Sequence, residues 1–360
     1  MKKALLFTLL SLFALISYGQ EITIDVTKPG TLSSLIGDKK YNISNLIIKG
    51  SLNGDDIITL RDMAGITKGG SPSKGRLSNL DLSETSIVSG GNSYMYDYGS
   101  YEQYYTKQDT LNTYSFYNCP ALEIITLPKT LKAVEKMVFF NCSKLTELYL
   151  PSKVETIGNS AFGSCANLSK IVMSNGITSL GNWSFAGCKS LENIELPTTL
   201  TTFGEGSFSD CPKLTVISIP EGTTIIPASF CANNKLLVRV SLPSTVTNIG
   251  DYAFYSCKAM RNLYCYSDNP PICGIYPFYG VDKSKCTLYV PETSIEKYKT
   301  DNVFKEFTSF CGIPTNINVT TEKTKPIAIY KLDGQIAPAN YSGIVIEVMP
   351  NGVIRKTFIK

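Results

Sequence analysis

Eleven cysteines and not one histidine are the chemically telling residues of this 360-residue chain. Cys119, Cys142, Cys165, Cys188, Cys211 and Cys257 share one column on a 23-residue period, and Asn234 fills its single gap. Thiols can ligate metals or pair as disulfides. However, no Cys-x-x-Cys spacing occurs, and equivalent side chains on stacked rungs point parallel rather than toward each other. An asparagine in the same column points to a shared structural task, since amide and thiol can both satisfy backbone groups in a turn. Bridges among Cys265, Cys273, Cys286 and Cys311 stay open as the exception. The absence of imidazole excludes Ser-His and Cys-His nucleophiles, histidine bases and histidine-containing metal sites. Asp55-Asp56 could pass for a catalytic pair, yet adjacent acids at a helix start read as caps. The expectation is no catalytic residue, no cofactor and no metal site.

Tyrosine is the other chemistry-bearing type. Tyr94, Tyr96, Tyr98, Tyr101, Tyr104 and Tyr105 lie in an insertion, Gly90 to Tyr117, among Gly, Ser and Asn residues. Rigid amphipathic rings in flexible surroundings are the composition of a recognition loop. The alternative is a loop folded back over neighbouring rungs. A second set is the variable column Thr126, Tyr149, Val172, Glu195, Ser218, Ser241 and Tyr264, followed by Tyr289. Tyr149, Glu195, Tyr264 and Tyr289 are its candidate contact residues, weighed against an ordinary solvated strand face.

The elements that must position these residues are repeats. Ile125, Leu148, Ile171, Ile194, Ile217, Val240 and Leu263 recur every 23 residues, and Leu127, Leu150, Met173, Leu196, Ile219, Leu242 and Cys265 lie two positions on. That period with Leu-x-x-Leu-x-Leu spacing predicts a leucine-rich-repeat solenoid, β-rich, with a parallel sheet. Pro128, Pro151, Pro197, Pro220 and Pro243 end each strand. Gly158, Gly181, Gly204 and Gly250 mark a tight turn opposite. Phe116, Phe139, Phe162, Phe185, Phe208 and Phe254 should stack inside, and Phe230, one residue early, suggests a bulge. A helix capped by Asp55 is expected from Asp55 to Ala64. Thr287 to Pro291 reads as the last rung, with Ser294 to Phe307 as a helix capping the open end.

The ends bound the setting. Lys2-Lys3, an apolar run from Ala4 to Ile16 and Ser17-Tyr18-Gly19 read as a cleavable export signal, too short to span a bilayer. With no cysteine near that cut, a lipid anchor is not expected. Removing Lys2 and Lys3 from 34 basic residues leaves 32 against 30 acidic ones. Such a balance, without a basic run, gives no footprint for nucleic acid.

The repeats from Cys142 through Phe254 resemble the BspA-like, or Treponema pallidum-type, leucine-rich repeats of Bacteroidetes. Leu-Pro after the strand, Ile157-Gly158-Asn159-Ser160-Ala161-Phe162 with Cys165, Asn269-Pro270-Pro271 and Cys286-Thr287-Leu288-Tyr289-Val290-Pro291 carry the likeness. Gly30-Thr31-Leu32, Gly50 to Asp55 and Leu80 to Ser83 extend it forward, so it covers about 21–312. Ile329 to Gln335, Gly343 to Ile346 and Asn351 to Lys356 are similar to C-terminal sorting modules of the same phylum. The resemblance implies a secreted or surface-displayed adhesion protein, recognising an extracellular protein or glycan, with no catalytic centre. It transfers no ligand-binding residue, because it rests on scaffold positions.

The expected organisation is a signal peptide at 1–19, an N-terminal cap with irregular repeats and the tyrosine-rich insertion at 20–115, and regular repeats at 116–266. A last rung and cap helix at 267–312, a linker at 313–326 and a small β module at 327–360 follow. Two other functions fit less well: a self-associating envelope or matrix component, and a carboxylate-dependent glycan hydrolase.

Overall fold

The computed structural model describes residues 21–97, 99, 101–314, 328–331, 343–348 and 354–359. The expected export signal, Tyr98 and nearly all of the linker lie outside the described residues. The chain divides into two compact units, Met1–Ile313 and Pro314–Lys360. In the second, Ala328–Lys331, Gly343–Val348 and Ile354–Ile359 form an antiparallel three-stranded sheet.

In the first unit the Leu-x-Leu segments of the regular repeats, that at Ile194 excepted, become three- or four-residue strands with the inward residue buried, because alternate side chains leave opposite faces. Equivalent residues pair across rungs, as in Ile171 with Leu148 and Val240 with Leu263. The result is an all-parallel main sheet. One part runs Glu21–Val26, Asn45–Leu52, Asn79–Ile87, Ile124–Thr126, Glu147–Tyr149 and Lys170–Val172. The other runs Val216–Ser218, Arg239–Leu242, Asn262–Cys265, Thr287–Pro291 and Ser309–Ile313. Between them the Ile194 rung contributes only an isolated bridge, Asn193 to Val216.

The opposite side is more ordered than a row of turns. Two residues before each glycine column form a second parallel ladder, among them Thr156–Ile157, Ser179–Leu180 and Thr202–Phe203. The glycines then let successive rungs touch: a Cβ on Gly204 would lie 2.3 Å from the backbone nitrogen of Asn182.

Between the two ladders runs the phenylalanine core. Phe116, Phe139, Phe162, Phe185 and Phe208 stack with centroids 5.2–5.6 Å apart and planes within 9°. Phe254 and Phe278 continue the stack at 5.6 Å. The bulge expected at Phe230 does not occur. Cys231 donates its N–H to the Ala253 carbonyl, as Phe208 does to the Phe230 carbonyl, so the backbone stays in register. What changes is side-chain order. Ser207-Phe208 becomes Phe230-Cys231, and the ring fills the same space turned nearly perpendicular to Phe208 and Phe254.

Two end assignments need correction. The helix spans Gly54–Met63 and is capped by Asn53, whose side chain accepts the Asp55 N–H while Asp56 accepts the Asn53 N–H. Asp56 also accepts the Gly30 and Leu32 amides, at 2.6 and 3.0 Å, which ties the first strand's exit to the helix. Both carboxylates are engaged at the helix start, Asp56 with three backbone amides and Asp55 with the Asn92 side chain. At the other end the last rung is Ser309–Ile313, not Thr287–Pro291, and it pairs parallel with the latter. The segment before it is a short helix, Ile295–Thr300, flanked by two single 3-10 turns. Tyr298, Phe304 and Phe307 from this segment are buried. Among the described residues no helix is long and apolar enough to cross a membrane.

Candidate recognition surfaces

The cysteine column is scaffold, for a specific reason. Cys142, Cys165, Cys188 and Cys211 each donate Sγ–H to the carbonyl of the phenylalanine 26 residues earlier, at 3.1–3.3 Å. Asn234 does the same with Nδ2 toward the Phe208 carbonyl at 2.9 Å, and its Oδ1 also accepts the Cys211 N–H. Burial pushes the thiols of Cys165, Cys211 and Cys257 up to about 12. They are protonated donors, not nucleophiles. All eleven cysteines are free, including Cys265, Cys273, Cys286 and Cys311, so none of the bridges left open by the sequence is formed. Cys265 instead lies 3.2 Å from the Tyr298 hydroxyl. Among the described residues no three His, Cys, Asp or Glu side chains converge as metal ligands.

The tyrosine-rich insertion is a β-hairpin. Gly90–Asp97 pairs antiparallel with Glu102–Thr106, Met95 opposite Tyr104 and Tyr96 opposite Gln103. Its root is tightly held. Gly54 permits close approach, because a Cβ there would lie 2.0 Å from the Asn92 carbonyl oxygen. Asn92 donates Nδ2–H to Asp55 at 2.7 Å. Fully buried Arg61 donates to the carbonyls of Tyr114 and Tyr117 at 2.8 and 3.3 Å and reaches the Met95 sulfur.

The five described tyrosines of this set part company on this frame. Tyr94 is completely buried, and its hydroxyl donates to the Thr113 carbonyl at 2.7 Å. Burial pushes its phenol well above the usual range. It anchors the hairpin and is withdrawn as a contact residue. Tyr96 and Tyr104 are half-buried, and Tyr104 packs edge-on against Tyr114. Tyr101 and Tyr105 point outward, 78% and 46% exposed. Alternation along Glu102–Thr106 separates Tyr104 from Tyr105, while Tyr101 projects from the turn before that strand, which a tyrosine-rich composition alone does not reveal.

The variable column lies on the outer face of the main sheet and carries two aromatic knots. Tyr149 is exposed beside Lys170, whose ammonium sits 4.9 Å from the ring centroid and bonds the phenolic oxygen. That bond holds the Lys170 ammonium above its ordinary range. Further along, paired Tyr264 and Tyr289 stack at 4.2 Å with planes 10° apart. Arg239 lies 5.7 Å from the Tyr264 centroid, and Tyr266 stacks against Tyr264 at 6.3 Å. Glu195 is exposed on the interrupted rung, apart from both knots. Arg239 and Tyr266 were not among the sequence candidates. The signal for Arg239 was available, since it lies one period before Asn262 on the neighbouring strand.

The repeats match the model of the BspA-type leucine-rich repeat region, in six copies, over residues 109–238 and 224–331. Similar solved structures include a leucine-rich repeat protein of T. pallidum, 28% identical, covering 42% of this chain and 71% of that one with a TM-score of 0.41. Another, from Eubacterium ventriosum, is 16% identical and covers 67% and 77% with a TM-score of 0.38. The pneumococcal vaccine antigen PcpA is 16% identical and covers 69% and 88% with a TM-score of 0.29. These superpositions are partial. No curated protein matches. Since the repeat model spans more than half of the chain, the protein belongs to the BspA-type leucine-rich-repeat family.

Proposed function

We propose that this chain is an exported, non-enzymatic recognition protein, secreted or displayed at the cell surface. It binds an extracellular protein or glycan through the main-sheet face and the hairpin tip. The stacked Tyr264–Tyr289 pair with Arg239 beside it carries the reading. Tyrosine and arginine dominate binding energy at protein interfaces, and here a rigid parallel ladder holds them in place. This favours a protein partner at that face. The hairpin supplies a second contact through Tyr101 and Tyr105. The proposal keeps the expected domain division, with 313–326 as a linker and 327–360 as a small β module that serves as a sorting tail.

The test is an array of extracellular-matrix proteins and glycans probed with the full mature chain. A Tyr264→Ser/Tyr289→Ser double variant should lose at least tenfold in affinity, and Tyr101→Ser/Tyr105→Ser less. If both variants bind as the parent does, the face assignment is wrong.

One observation favours the self-association reading. Among the described residues, the strands Glu21–Val26 and Ser309–Ile313 each pair on one side only, and all strands of the main sheet run parallel. Edge-to-edge joining of copies would continue the solenoid. Oligomers that grow with concentration in analytical ultracentrifugation, with no ligand found, would favour it.

A further inference from the structure

Away from the main-sheet face, four tyrosines form a grid on two successive rungs. Tyr255 and Tyr279 stack at 5.4 Å with planes 8° apart. Tyr252 packs edge-on against Tyr255 at 5.9 Å, and Tyr276 against Tyr279 at 5.8 Å. Tyr252, Tyr276 and Tyr279 are 40%, 62% and 56% exposed, so the grid is not core.

The backbone beneath these rings is common to every rung. Tyr252 and Tyr276 have φ of 55° and 49°, in the left-handed region. Equivalent positions on earlier rungs hold Tyr114, Met137, Ser160, Trp183, Gly206 and Ser229 in the same conformation. Serine and glycine serve the turn as well, so it needs no aromatic residue.

Beside the grid is a cavity of about 280 Å³, lined by Gly274, Tyr276, Phe278, Tyr279 and Val303 together with Lys283 and Glu306. The ammonium of Lys283 and the carboxylate of Glu306 pair at 2.8 Å on its wall. Aromatic walls with one donor and one acceptor, net neutral, suit a ligand that has apolar C–H faces and adjacent hydroxyl groups. Successive rungs advance by ~5 Å, close to the length of one pyranose unit in an extended glycan. A polyproline helix advances only ~3.1 Å per residue and repeats every three residues, which fits the grid less well.

We infer that the Tyr252–Tyr255–Tyr276–Tyr279 shelf and its cavity bind a neutral polysaccharide, one sugar ring per rung, with Lys283 and Glu306 bonding hydroxyl groups of the terminal unit. This site is separate from the main-sheet face and does not depend on it.

The test is affinity electrophoresis of the full mature chain through gels containing hydroxyethylcellulose, β-1,3-glucan, xyloglucan or α-mannan. At least one polymer should retard the protein. Tyr276→Ala/Tyr279→Ala should weaken that retardation at least tenfold, and Lys283→Gln by several-fold. Lys153→Gln, at an exposed position outside both proposed surfaces, should leave it unchanged. Tyr276→Gly removes the ring and suits the left-handed backbone, so it should weaken binding while the melting temperature holds or rises. The inference is overturned if no polymer retards the parent chain, or if the Tyr276 and Tyr279 variants migrate as the parent does. It is equally overturned if these tyrosines prove to bind a proline-rich peptide and none of the polymers.

Discussion

The regular array and the tyrosine-rich hairpin belong to the same compact unit but are held in place by different means. In the array each contact is made by a residue and its equivalent one rung away. Phe139 stacks on Phe162, and Cys165 bonds the Phe139 carbonyl just as Cys188 bonds that of Phe162. Position there is a consequence of translation, and each rung supports only its neighbours. The hairpin has no equivalent to lean on. Its place depends on unique polar anchors, Arg61, Asp55, Tyr94 and Asn112, the last donating to the Tyr105 carbonyl at 2.7 Å. The array tolerates exchange between solutions that satisfy the same carbonyl, whereas the hairpin's anchors have no substitutes.

The largest way to break this contrast is inside the array. Phe162→Ala should cost about 3–5 kcal/mol, measured by chemical denaturation. Hydrogen exchange should quicken on the two adjoining rungs while the hairpin stays protected. If the hairpin loosens equally, the two regions are not independent.

A pH scan probes the thiol column next. The native thiols of Cys165, Cys211 and Cys257 stay protonated to about 12, against an ordinary value of 9.0. The native state therefore binds protons more tightly than the unfolded one. Their stabilisation is complete below pH 9 and is lost as pH rises from there toward 12. Each such thiol forfeits ~1.4 kcal/mol per pH unit in that window. Melting temperature should hold from pH 7 to 8.5 and fall steeply above pH 9. A flat profile to pH 10.5 would show that the thiols are not buried donors.

Arg61→Met should cost ~2 kcal/mol by removing the buried charged donor to the Tyr114 and Tyr117 carbonyls. Faster exchange and proteolysis should be confined to 90–117, with the array unchanged. The smallest effect belongs to the exchange within the core. Phe230→Ser alone opens a cavity, but Phe230→Ser with Cys231→Phe restores the order seen at Ser207-Phe208. That double variant should fall within ~1 kcal/mol of the parent. A large additive loss would mean that the turned ring is required where it stands.

Much of the array was legible from the chain alone. The inward Leu and Ile columns, the stacked phenylalanines and the shared task of Cys and Asn234 all follow from the 23-residue return, because equal residues on stacked rungs must meet. The outward column could be located but not ranked, since nothing in its spacing shows that Tyr264 and Tyr289 stack while Glu195 stands apart. The hairpin was legible only as a composition. Which tyrosine anchors and which projects depended on the strand pairing, and Tyr94 went to the core.

The sequence by itself determined the period, the parallel solenoid and the inward columns, since a repeat carries its own contact map at one fixed separation. Tertiary structure alone decided the second ladder, the cap at Asn53, the final rung Ser309–Ile313, the burial of Arg61 and Tyr94, and the grouping of Tyr264, Tyr289 and Arg239. Those contacts join residues whose meeting depends on local geometry and on separations outside the simple repeat. Only the folded chain, with its hydrogen bonds and packing in place, selects among the partners available to them.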